Sequence, residues 1–161
     1  MSINGESLQN ETAKSEISQE DFDKIDNWVY RPTDDVYLKH KEVFDNPKYF
    51  DQETGETHWP PNNGEVDGTK AIICLPIGTV IDRYGLDTGS YTSPIGVSYE
   101  ERSLAPGTEK YPYSQFEICK PINVEQSVVF PWFDEPGGGI QYRMPSSIKD
   151  LLDRGIIRRI Q

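Results

Sequence analysis

The stretch LPIGTVIDRYG, residues 75–85, closes the apolar run Ala71-Ile72-Ile73-Cys74-Leu75 and opens another at Thr79-Val80-Ile81. Pro76 and Gly78 break the chain between the two, and the β-branched residues after the break favour a pleated, packed surface. Two strands are predicted, the first read as a buried core strand. The second delivers Asp82, Arg83 and Tyr84 in a row before Gly85 stops it. An arginine fixed at the end of a core strand is well placed to hold a phosphate or carboxylate, because its planar fork bonds bidentately. The same residues also allow a strand-end ion pair between Asp82 and another arginine.

Upstream of this stretch the chain is irregular. Residues 1–20 are polar and without periodicity, and residues 1–27 hold seven acids against Lys14 and Lys24, a solvated acidic lead-in. A single domain is therefore expected over residues 21–161. Phe22, Ile25 and Trp28 recur at spacings of three, which predicts a short helix over 20–30 with Ser18 as its cap. A second helix is expected over Val36 to Phe44. Asn46-Pro47, Asp51 to Gly55 and Trp59-Pro60-Pro61-Asn62-Asn63-Gly64 are turn chemistry.

Downstream, Leu86 to Gly96 is rich in turn formers around Tyr91. Tyr113 to Ile118 alternates, with Tyr113, Gln115 and Glu117 on one face and Ser114, Phe116 and Ile118 on the other. Ile122–Val124, Val128–Phe133 and Ile140–Tyr142 read as further strands. Ser147 to Asp153 reads as a helix stopped by Gly155, and Ile156 to Ile160 as a closing strand. Strands outnumber helices and hairpin-length links dominate. The fold class expected is α+β, a twisted antiparallel sheet with a few short, mainly N-terminal helices.

Charged residues make up 27% of the chain and aromatics 11%, a globular composition. The formal net charge of -11 argues against nucleic acid or an anionic membrane as partner. It leaves room for an anionic small molecule, since a few local arginines outweigh a distant, screened field. No apolar run approaches the roughly 20 residues of a membrane span, and MSINGESLQNETAK lacks the apolar core of a signal peptide. Cys74 and Cys119 are read as buried thiols, or as one bridge if their strands lie side by side. His40 and His58 are far apart, so no metal site is expected.

Gly137-Gly138-Gly139 precedes a strand and not a helix, which separates it from a dinucleotide fingerprint, and no P-loop lysine follows. It is either a turn or bulge, or a place where backbone at Gly138 approaches a ligand with Gln141 beside it.

The ordered blocks WPPNNG, LPIGTVIDRYG, GSYTSP, ERSLAP and PWFDEPGGGIQY, spanning residues 59–142, resemble the tuberculosis necrotizing toxin domain family of NAD glycohydrolases. DLL followed by a glycine fits the family's closing pattern. The resemblance implies hydrolysis of NAD, with NADP as a second candidate, at the nicotinamide–ribose bond. NAD is then substrate and no cofactor is implied. It also implies a cognate immunity protein as partner, and delivery to a target-cell cytosol as part of a larger secreted effector. An ADP-ribosyltransferase and a non-catalytic nucleotide-binding relative are the alternatives.

On that resemblance, Arg83 and Gln141 match the family's catalytic positions, while Tyr91 and Arg102 match its substrate-binding ones. Tyr84, Phe133 and Gly138 complete the expected binding set. The chemistry suits these roles. Arg83 with Arg102 would supply paired cationic forks for the diphosphate. Tyr91 offers a flat face to the cationic nicotinamide ring, and Gln141 could fix the ribose or position the attacking water. Glu135 keeps open a carboxylate near the ribose. A histidine that some members carry around Tyr113 to Gln115 is absent.

Overall fold

The computed structural model describes residues 16–161, so most of the expected acidic tail lies outside the described residues. Residue contacts separate the chain into two compact units, one ending at His58 and one running Trp59–Gln161.

The first unit is helical. Helix α1, Gln19–Asp26, starts where expected, with the Ser18 hydroxyl accepting from the Asp21 amide at 3.1 Å. It ends before Tyr30 because Asn27 turns its side-chain amide back onto the Asp23 carbonyl at 2.9 Å. The single helix expected over 36–44 is two, α2 at Asp34–Lys39 and α3 at Lys41–Phe44, broken where His40 leaves helical geometry (φ -119°, ψ 29°). Their apolar sides gather Trp28, Tyr37, Phe44, Tyr49 and Phe50 into a buried aromatic cluster, with Phe44 and Phe50 centred 4.7 Å apart.

The second unit is built on one sheet of seven strands: β1 Ala71–Leu75, β2 Val80–Tyr84, β3 Tyr91–Pro94, β4 Tyr113–Ile118, β5 Ile122–Val128, β6 Ile140–Arg143 and β7 Ile157–Arg159. The spatial order is β1-β5-β6-β3-β2-β4-β7, and every pairing is antiparallel. This is the α+β antiparallel architecture expected. The two segments expected as separate strands after Ile122 begin as one continuous β5. Beyond Val128 the chain continues irregularly, with only an isolated bridge between Glu65 and Val129.

Strand alternation sorts the sheet into two faces. Ile81, Phe116, Ile118, Val124 and Tyr142 point to one side and pack with Leu75, Ile122 and Met144. Helix α4, Ile148–Asp153, closes that side with Ile148 and Leu151, both without solvent exposure. Ser147 caps α4 by accepting from the Asp150 amide. The opposite face carries polar side chains, among them Asp82, Ser93, Gln115, Ser127 and Gln141.

β1 differs from expectation. It is an edge strand with β5 as its one neighbour, so Ala71, Ile72 and Cys74 are exposed and only Leu75 is buried. An unbroken apolar run describes a buried strand only when both faces are covered. Cys74 is accordingly an exposed thiol, and neither it nor Cys119 is bridged.

Candidate active site

Beyond Gly85 the chain loops out and returns as β3, which places Tyr91 beside the end of β2. Arg83 holds that loop. Its Nε donates to the Leu86 carbonyl at 3.0 Å and one terminal nitrogen donates to the Tyr91 carbonyl at 2.9 Å. Burial pulls the guanidinium pKa down while Asp87 pushes it up, and the group stays a cation. Two glycines make room for it. A Cβ on Gly89 would lie 1.9 Å from an Arg83 terminal nitrogen, and one on Gly85 would lie 2.8 Å from the same nitrogen.

Arg83 lines a cleft of about 690 Å3 in the second unit, a volume in the range of small-molecule sites. Tyr84, Gly85, Leu86, Thr88 and Tyr91 share one wall with it, Trp59, Pro60, Asn63 and Phe133 form another, and the segment from Ser103 to Tyr111 supplies the rest. Arg83 is the one charged side chain among these lining residues, and no carboxylate is present. In a chain of net charge -11 that is a local inversion suited to an anion. A neighbouring depression of about 560 Å3 sets Glu125 beside Arg143, 3.9 Å apart, and holds none of the expected site residues.

The Tyr91 ring is half-buried. Its hydroxyl donates to the Asn63 carbonyl at 3.4 Å. Burial raises its pKa above the ordinary 10.0, with Glu65 and Glu125 adding to that and Arg143 opposing, so it stays protonated near neutrality. Asn62 and Asn63 reach their places through left-handed backbone, φ 55° at each, which asparagine tolerates better than most residues.

Gln141 does not line the cleft. Its Nε2 donates to the Gly64 carbonyl at 3.2 Å and to the Ser127 hydroxyl at 3.1 Å. A backbone carbonyl only accepts, so the amide orientation is forced and Oε1 remains as the half that accepts a further hydrogen bond. Gly64 adjoins Asn63, which ties Gln141 to the cleft wall through one peptide.

Arg102 is absent from the lining of that cleft, but it meets Arg83, Tyr84 and Tyr91 around a small cavity of about 40 Å3. Its guanidinium is buried against Asp82, nitrogen to oxygen 2.7 Å, with the two side chains 6% and 4% exposed. The same guanidinium donates to the Val97 carbonyl at 2.8 Å and lies 4.9 Å from the centre of the Tyr84 ring. Asp82's second oxygen accepts from the Tyr113 hydroxyl at 2.8 Å, and Gln115 donates to that hydroxyl at 2.9 Å. The strand-end ion pair that Asp82 suggested is thus formed, with Arg102 as its partner. This network packs behind Tyr84, whose ring meets Tyr99 edge-on at 5.0 Å and Tyr113 at 4.7 Å.

Phe133 lines the cleft from a buried position, with left-handed backbone at φ 55°. Gly138 does not reach it. Its amide donates to the Val129 carbonyl at 2.9 Å, and a Cβ there would meet nothing. The glycine run is a turn in which Gly137 and Gly139 allow backbones to approach: Cβ atoms there would lie 2.7 Å from the Val129 carbonyl and 3.0 Å from the Glu101 carbonyl. Glu135 is also absent from the lining.

Sequence reasoning passed over Trp59, Ser103 and Tyr111 as site residues. Trp59 and Tyr111 are exposed rings on the cleft, a placement no local pattern reveals. Ser103 is buried at φ 46° with its hydroxyl unpartnered among the described residues, the kind of local strain that collects at functional sites. No cluster of three or more His, Cys, Asp or Glu side chains that could hold a metal is found among the described residues.

The sequence model for the tuberculosis necrotizing toxin family matches residues 74–160. The conidial surface nicotinamide adenine dinucleotide glycohydrolase nadA of Aspergillus fumigatus is 32% identical over 114 residues, covering 63% of this chain and 49% of that protein. The outer membrane channel protein CpnT of Mycobacterium tuberculosis is 30% identical over 122 residues, 64% of this chain and 14% of CpnT. The chain thus spans at most about half the length of these curated relatives. Among solved structures, tuberculosis necrotizing toxin complexed with its immunity factor IFT is similar at TM-score 0.59 and 27% identity, over 75% of this chain and 69% of that one.

Proposed function

The chain belongs to the tuberculosis necrotizing toxin family, and from that membership we propose that it hydrolyses NAD at the nicotinamide–ribose bond. Water adds its oxygen to the ribose C1′, the C1′–N bond breaks, nicotinamide leaves as a neutral base, and ADP-ribose and a proton are released. The similarity to an NAD glycohydrolase supports this. The observation that carries it is the cleft in which Arg83 is the only charged lining side chain among the described residues and aromatic rings stand around it.

Each residue has a part. Arg83 faces the diphosphate, its place fixed by the Leu86 and Tyr91 carbonyls. Tyr91 packs against the nicotinamide ring, whose positive charge disappears as the bond breaks. Gln141 stands beside the cleft, tied to its Asn63 wall through Gly64, and its Oε1 accepts from the attacking water at the cleft edge and orients it. The C1′ centre becomes oxocarbenium-like as the bond breaks, and the leaving base needs no proton, so a site without a general acid suffices. Arg102 is a positioning residue that holds Asp82 and Tyr84. NAD is substrate here, and no further cofactor enters the scheme.

By analogy with the immunity-factor complex of its structural relative, the chain is held inactive in its producing cell by a dedicated inhibitor protein. It acts after delivery as one portion of a longer secreted protein, as the 14% share matched in CpnT suggests. No helix of the described residues is long and apolar enough to cross a membrane.

Incubation with NAD labelled in its adenylate half, in the presence of mixed cell proteins, separates hydrolysis from transfer. Free labelled ADP-ribose with unlabelled proteins is expected. Label fixed to a macromolecule would turn the assignment to an ADP-ribosyltransferase.

A further inference from the structure

Trp59 is exposed to 67%, a large apolar surface left in water on the rim of the cleft that holds Arg83. Its ring is not adrift. It meets the edge of Phe133 at 6.0 Å and 88°, and Phe133 is itself only 2% exposed. Behind Phe133 the backbone runs left-handed at two successive residues, φ 55° and 59° at Asp134, a strained arrangement that aims the ring at Trp59. Pro60 and Pro61 follow Trp59 directly and restrict its backbone. The indole N–H has no hydrogen-bond partner among the described residues. The result is a braced aromatic plate with an open face.

We propose that Trp59 is the stacking platform for the adenine of the dinucleotide. The inference rests on the NAD-hydrolase assignment and extends it to the half of the substrate that does not react. Arg83, the sole cation among the described residues of the cleft lining, sets where the diphosphate lies, and a base extends from each end of it. The base that leaves must be enclosed with the breaking bond, where bulk water is kept out and the attacking molecule is held in place. The half-buried Tyr91 provides that setting. The other base takes no part in the chemistry and needs only a face to lie on, which the exposed Trp59 presents. A π-face accepts any purine, so this end of the site reads ring shape more than hydrogen-bond pattern.

Calorimetric titration of the whole chain and of Trp59→Ala and Trp59→Phe, using ADP-ribose and nicotinamide mononucleotide as probes, tests it. Trp59→Ala should weaken ADP-ribose roughly tenfold to hundredfold, the loss expected when one stacked base loses its aromatic partner. Trp59→Phe should recover most of that affinity, and nicotinamide mononucleotide should bind the three proteins alike. Since Trp59 is mostly in water, the thermal midpoints should also agree. Equal ADP-ribose affinity in Trp59→Ala would overturn the platform, as would a matching loss for nicotinamide mononucleotide or a wild-type chain that does not bind ADP-ribose. The two assignments fail separately. Binding of ADP-ribose that depends on Trp59, with NAD left intact, would sink only the hydrolase. Turnover of NAD with KM unchanged in Trp59→Ala would sink only the platform.

Discussion

Gly89 has no side chain where a Cβ would meet the end of Arg83 at 1.9 Å. Its backbone φ lies outside the left-handed region, so alanine there is opposed by that guanidinium and not by its own backbone conformation. The arginine's far end can swing away, which makes Gly89→Ala a way to displace Arg83 while keeping the fold. NAD turnover, measured as kcat/KM, should fall about tenfold to hundredfold, the worth of a charge-assisted hydrogen bond, with a thermal midpoint lowered by the lost loop hydrogen bonds but a cooperative unfolding transition retained. Wild-type kinetics in that variant would leave Arg83 as a loop clasp alone. The Asp82–Arg102 pair behaves differently because both partners are buried. Asp82→Ala leaves a buried cation unpaired and should cost about 3–5 kcal/mol in denaturant unfolding, whereas replacing both by apolar residues, Asp82→Leu with Arg102→Met, should cost less. A double variant less stable than Asp82→Ala would contradict that account. The sequence allowed Asp82 an arginine partner as one of two readings of the strand end. It could not say which arginine, because Arg102 lies 20 positions away along the chain, in the one-turn 3-10 helix Glu100–Arg102.

At the scale of elements, α2 and α3 are joined to α1 through one carboxylate. Asp45 accepts from Lys24 at 2.9 Å, from Tyr37 at 2.6 Å and from Lys41 at 2.6 Å. Burial alone would raise its pKa, but the hydrogen bonds from Lys41, Tyr37 and Lys24 outweigh it and leave it below the ordinary 3.8. A carboxyl depressed on folding stabilises fully above its unfolded value, and that contribution disappears as pH falls through the folded one. The first unit should therefore loosen below about pH 4, seen as increased Trp28 exposure by fluorescence quenching. Asp45→Asn should be looser already at neutral pH and change less on acidification; an unchanged acid profile would remove Asp45 as the cause. The elements themselves were legible where periodicity was strong. The alternation of β4 set Phe116 and Ile118 on one face together, and that face is buried in the core. It failed for β1, where the apolar run gave no sign of the missing neighbour, and for the helix break at His40, which no proline or glycine announces.

Across the molecule, a chain of net charge -11 has a cleft whose only charged lining residue among those described is a cation, and the antiparallel sheet separates an apolar face under α4 from the polar face that carries Asp82 and Gln141. Family blocks spaced along the sequence pointed to Arg83, Tyr84, Tyr91 and Phe133, which the fold gathers into one cleft. They also pointed to Arg102, Gly138 and Gln141, which sit behind or beside it; sequence order carries motif identity but not the direction in which a side chain leaves its strand. The most direct test is chromatography of the products after the purified chain is incubated with NAD, run in parallel with Gln141→Ala. Equal amounts of nicotinamide and ADP-ribose from the wild type are expected, with a loss of at least about tenfold in a Gln141→Ala chain that keeps its fold. Intact NAD beside folded wild-type protein, or undiminished turnover in Gln141→Ala, would contradict the assignment.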